Sequence, residues 1–164
     1  GLMQGLVRKL GMEEHTYPEY YFIRSQELLG MTPLEPPDVS GWPGYRSWIN
    51  SITLPVRKLQ AQSLLTGFSP WGSFDFTVDI RALAQSMYDE NGEGYASVQI
   101  VRKLGITFFA IHLSEHLEGV MLDILLDGAE PYDWSINAPP NDAQWNRMRD
   151  LMHYIMKLPE FQLS

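Results

Sequence analysis

Apolar residues recur at three- and four-residue steps along most of this chain, and the steps are broken by proline and glycine. Leu2, Met3, Leu6, Val7 and Leu10 share one helical face, and Gly11 stops the run. Thr16 and Glu19, with Pro18 between them, match a capping box in which each side chain satisfies a backbone N–H of the other's residue. That signature predicts a helix reaching Leu29, with Gly30 free to take positive φ as its stop. From Met31 to Tyr45 the pattern fails: Pro33, Pro36 and Pro37 lack amide donors and push their predecessors toward extended geometry. A helix resumes near Thr53, accepts Pro55 in its first turn and ends at Gly67. The stretch FSPWGSFDFTV (68–78) reads as a loop with a short extended piece. Two further helices follow, one carrying Val101, Leu104, Phe108 and Ile111. The other carries Leu117, Val120, Met121, Ile124 and Leu125, with Ser114 as its cap and Gly128 as its stop. After EPYDWSINAPP (130–140), a last helix over 141–157 presents Trp145, Met148, Met152 and Ile155, and Pro159 closes it.

These elements predict an all-α fold of about six helices around a single core, joined by long ordered loops rich in Pro, Gly and Trp. At 164 residues and 45% hydrophobic composition, residues 1–164 suit one helical domain. A chain of that size buries roughly 70% of its unfolded surface. No apolar run approaches the ~20 residues that span a bilayer, and no secretory signal pattern is present. Gly1 rather than Met opens the chain, which we read as a fragment of a longer protein. Cysteine is absent, which removes thiol nucleophiles, thiolate-bound zinc and disulfides together.

Charge is unevenly distributed. Residues 1–66 carry six basic and six acidic side chains, whereas residues 67–164 carry six basic and fourteen acidic ones, the whole of the net −8. A nucleic-acid binder needs Lys and Arg to displace counterions from phosphates, so this balance points the wrong way. Anionic membrane surfaces are disfavoured for the same reason. The acidic half could attract cations or a basic partner, but we favour the plainer reading of a solvated surface.

The segment EPPDVSGWPGYRSWINSITLPVR (35–57) resembles the signature of a large bacterial family, domain of unknown function 1800. The matching positions are Pro36, Pro37, Gly41, Trp42, Pro43, Trp48, Asn50 and Arg57. DGAEPYDWS (127–135) and the closing LPEFQLS (158–164) are similar to a Bacteroidetes-like branch of it. The resemblance implies the C-terminal part of a longer, exported bacterial protein, often encoded beside a sulfatase-like one. It brings no agreed activity, cofactor or catalytic residue.

Within that signature, PPDVSGWPG (36–44) admits two readings. In one it is a stiff brace whose prolines limit the unfolded chain and whose Trp42 indole wedges into the core. In the other, Pro36, Pro37, Gly41, Trp42, Trp48, Arg57 and Trp71 form a ligand or partner contact surface. We favour the brace. DENGEGYASVQI (89–100) imitates a calcium loop with Asp89, Asn91, Glu93, Gly94 and Ser97, but Ile100 stands where a bidentate glutamate belongs. It reads as an acidic turn. His112 and His116 have zinc-ligand spacing, but a cap at Ser114 would leave His112 outside the helix. GYASV (94–98) falls short of a nucleophile elbow because Val98 replaces its last glycine. Met121, Met148, Met152 and Met156 lie on or near apolar stripes, as core-filling residues do. No catalytic residue, metal set or cofactor site is identifiable. The reading is an interaction or scaffold domain, with the N-terminal remainder of the same protein and a sulfatase-like neighbour as expected partners. The alternative is part of a glycan-binding or glycan-processing enzyme whose site that remainder completes.

Overall fold

A computed structural model describes residues 8, 19–30, 32, 34–36, 38–41, 50–69, 72–73, 77–109, 112–159 and 161. Helix α1 (Glu19–Leu28) closes with tight bonds, the Leu29 N–H to the Gln26 carbonyl and the Gly30 N–H to that of Glu27. Gly30 takes φ of 70°, as the sequence predicts. Thr16 of the expected capping box lies outside the described residues. So does the helix expected over 2–10, apart from Arg8, which is helical.

Helix α2 (Thr53–Thr66) ends on Gly67 at φ 71°, whose N–H bonds the Ser63 carbonyl. Two-residue strands follow, β1 (Phe68–Ser69) and β2 (Gly72–Ser73), antiparallel with Phe68 opposite Ser73. The Val78 N–H then donates to the Leu64 carbonyl, tying the extended piece back onto α2.

Helix α3 (Ile80–Met87) is one that the sequence reading did not anticipate. Asp79 caps it by accepting from the N–H groups of Arg81 and Ala82, both at 3.0 Å. Ile80, Leu83, Ala84 and Met87 fall one, four, five and eight residues after the cap and are all buried.

Helix α4 (Ala96–Phe109) buries Ile100, Val101, Leu104 and Phe108; Ile111, expected to extend its stripe, lies outside the described residues. Ser114 caps α5 (Glu115–Leu126), accepting from the Leu117 N–H. Its stop begins one residue before the expected glycine: Asp127 takes φ of 51° and Gly128 follows at 82°. Aspartate tolerates that conformation better than most side chains because its short carboxylate can bond locally. Asp142 caps α6 (Ala143–Lys157), two residues later than the predicted start, and Leu158 leaves in the extended geometry that the following Pro159 favours.

Among the described residues there are six helices, an all-α arrangement: α2 to α6 supply one core, α1 lies against α2, and the small β1–β2 pair follows α2. Helix α6 lies against α5, α2 and α3, while α4 joins α5 to α3. From α6, Met148, Leu151, Met152 and Ile155 share one core with Leu64, Val101, Leu104, Phe108, Met121 and Leu125, all fully or almost fully buried. The four methionines singled out by spacing belong to this core, where thioether side chains fill irregular gaps. Phe161 returns to set its ring 6.0 Å from that of Phe108. The connector between α4 and α5 folds back onto α4 because Gly105 lacks a side chain: a Cβ there would collide with the Leu113 side chain. No helix among the described residues is long and apolar enough to cross a membrane.

The loop between α5 and α6 is bolted to the core. Buried Gln144 donates its Nε2 to the Ser135 carbonyl at 2.6 Å and accepts the Ser135 N–H on Oε1 at 3.2 Å. Trp134 and Trp145 meet edge to face at 5.6 Å, with the Arg81 guanidinium over the Trp145 ring. The Trp145 Nε1–H donates to the Pro139 carbonyl at 2.8 Å.

Candidate functional site

The signature segment leading into α2 is built from consecutive small turns. In the first, the Glu35 N–H donates to the Thr32 carbonyl, and Leu34 occupies φ of 66°. Positive φ at the third turn position ordinarily calls for glycine or asparagine, because a Cβ there crowds the backbone. In the second, the Gly41 N–H donates to the Asp38 carbonyl while the Asp38 carboxylate accepts the Ser40 N–H at 2.7 Å. Gly41 supplies φ of 90°. These are local bonds, spanning two or three residues. They fix the backbone and leave the side chains outward: Leu34 is 94% exposed and Val39 107%. Pro36 is exposed as well. Pro37, Trp42, Trp48 and Trp71 lie outside the described residues, so the wedge expected of Trp42 does too.

Asn50, a signature position, has a structural role. Its Oδ1 accepts the N–H groups of Ile52 and Thr53, both at 2.9 Å, and its own N–H donates to Thr53 Oγ1 at 3.1 Å. That reciprocal pair is a capping box, and with the Leu54 N–H bonded to the Asn50 carbonyl it sets the first turn of α2. Ile52 already has helical dihedrals, so the hydrogen bonds place the effective cap at Asn50. Arg57 follows one turn into the helix. It is half-buried, burial pushes its guanidinium below the ordinary arginine range, and its Nε makes no hydrogen bond among the described residues.

The remaining candidate chemistry is occupied by structural work. Ser97, ninth in the calcium-like loop, is buried and donates to the Pro131 carbonyl at 3.0 Å. The Asp89 carboxylate accepts the Asn91 N–H, and Gln99 clamps the loop by accepting the Asp89 N–H and donating to the Gly94 carbonyl. The segment is an acidic turn. Since α5 begins at Glu115, His112 stands outside it, and both His112 and His116 are exposed. Among the described residues no group of three His, Asp or Glu side chains is placed to hold a metal. Leu34 and Val39 escaped the sequence reading, which weighed the prolines and tryptophans; the sole clue was their place inside turn-forming stretches.

An all-α chain with a turn-built connector carrying the signature is thus the class that fold and site define. It belongs to the family described as Protein of unknown function (DUF1800), which matches residues 2–163. No curated protein and no solved structure matches the chain.

Proposed function

We propose that this is an interaction domain whose contact surface is the connector at residues 32–41. The exposure of Leu34 and Val39 carries the reading. Leaving such a side chain in water forgoes roughly 1.5–3 kcal/mol of burial, and the left-handed backbone at Leu34 costs about 1–2 kcal/mol more. Stability alone gives no reason for either, whereas a partner covering both side chains would recover the first term. In this reading the partner is the N-terminal remainder of the same longer protein, which the family resemblance implies, and the whole is an exported bacterial protein with a sulfatase-like neighbour as a second candidate.

The test is to mix the intact chain with a separately produced N-terminal region of its parent and measure affinity by calorimetry. The double substitution Leu34→Asp, Val39→Asp should weaken binding at least about tenfold, corresponding to ~1.4 kcal/mol, and leave the melting temperature in place. Unchanged affinity in the double variant would refute the assignment.

A further inference from the structure

A second surface, far along the chain from the connector, has a different chemistry. Tyr95 and Tyr132 meet edge to face with centroids 6.3 Å apart, yet they remain 54% and 64% exposed. The turns that carry both rings are fixed by hydrogen bonds. The Gln99 clamp fixes the backbone on either side of the 89–94 turn. The Asp133 N–H bonds the Glu130 carbonyl, and the Glu130 N–H bonds Asp133 Oδ2, closing the turn that carries Tyr132. The Ser97 hydroxyl, donating to the Pro131 carbonyl, links the two turns across 34 residues. Ordering two rings in this way and leaving them in water prepares a platform whose conformational cost is already met before anything binds.

The charges around the platform select its occupant. Glu90 and Glu93 precede Tyr95, and Glu130 and Asp133 flank Tyr132; all four are exposed. None forms an ion pair among the described residues, where the pairs are Arg24 with Glu27 and Arg102 with Glu118. The sequence contains no Lys or Arg from residue 82 to 101, and none from 104 to 146. Arg102 lies two turns down α4 and is engaged by Glu118 at 2.8 Å. A guanidinium suits this surface best. It is planar enough to lie against a tyrosine face, and its remaining N–H groups fork toward carboxylates. We infer that Tyr95 and Tyr132, with Glu90, Glu93, Glu130 and Asp133, form a docking surface for an arginine-rich segment of a partner protein. This surface stands independently of the connector.

A labelled hexa-arginine peptide titrated into the intact chain at low ionic strength, followed by fluorescence anisotropy, tests it. The peptide should bind and hexa-lysine should bind several-fold more weakly. Tyr95→Ala with Tyr132→Ala should cost about tenfold in affinity, as should Glu90→Gln with Glu93→Gln and Glu130→Gln. The connector variant Leu34→Asp, Val39→Asp should bind the peptide like the unaltered chain, which separates this outcome from the fate of the connector reading. Unchanged melting curves establish that the substitutions act at the surface. Failure to bind hexa-arginine overturns the assignment, as does equal affinity with and without the two rings, which would mean diffuse charge alone. A neutral oligosaccharide that binds through the tyrosines where the peptide does not would also overturn it, making the platform a sugar site.

Discussion

PPDVSGWPG and EPYDWSINAPP look alike in composition: each is rich in proline, carries a tryptophan and stands beside a helix. The structure uses them differently. In the second, Trp134 is buried against Trp145, Ile136 and Ala138 join the core, and Gln144 grips Ser135 on both sides. In the described part of the first, hydrogen bonds stay within their own turns and the apolar side chains face water. The later loop is a brace by these bonds, while the Trp42 wedge expected of the earlier one lies outside the described residues. Composition marks a loop as stiff; whether its polar groups bond inward or only to themselves decides whether it is scaffold or surface.

That contrast is most exposed at Trp145. Trp145→Ala removes a buried ring, the stack with Trp134, the contact with Arg81 and the bond to Pro139, so unfolding in urea should show a loss of about 3–5 kcal/mol. A loss below about 1 kcal/mol would erase the distinction between the loops. Next in size is Gly105→Ala. The new methyl meets Leu113 well inside contact distance, and the strain should cost about 1–3 kcal/mol in the same measurement. On the connector side, Asn50→Ala deletes the cap of α2 and should cost about 1 kcal/mol. Thermal melts of the single and double variants with Thr53→Ala should be non-additive, since each residue bonds the other.

The smallest effect concerns pH and again belongs to the braced end. His153 on α6 is partly buried, and burial, then Lys157, push its imidazole below the ordinary 6.5, with Asp150 opposing. The folded chain therefore binds this proton less readily than the unfolded one. The stability His153 contributes is complete above about pH 6.5 and is lost as pH falls toward the lower folded value. Melting temperature should fall on acidification from neutral pH, and His153→Gln should shallow that slope.

Much of the helical frame was legible because cap and period agree. Ser114 announced α5 and thereby detached His112 from His116, and the methionine spacing located the core. Helix α3 shows the same agreement, Asp79 followed by Ile80, Leu83, Ala84 and Met87. It escaped because eight residues after an extended piece give periodicity little room to declare itself. Asn50 was visible as a signature residue while its capping role was not, since the helix was read from Thr53 onward. Leu34 could not be foreseen: no pattern encodes a left-handed leucine. Nor could Tyr95 and Tyr132, 37 residues apart, whose meeting depends on one buried serine hydroxyl.

The two-sided grip of Gln144 on Ser135 has a consequence for the order of events on the ribosome. The residues that clamp the preceding loop lie downstream of it, and α6 also supplies the surface on which α2, α3 and α5 settle. During synthesis those faces stay uncovered until α6 has left the exit tunnel. Truncation ahead of Ala143 would yield a polypeptide with no keystone, fit for degradation and not for assembly.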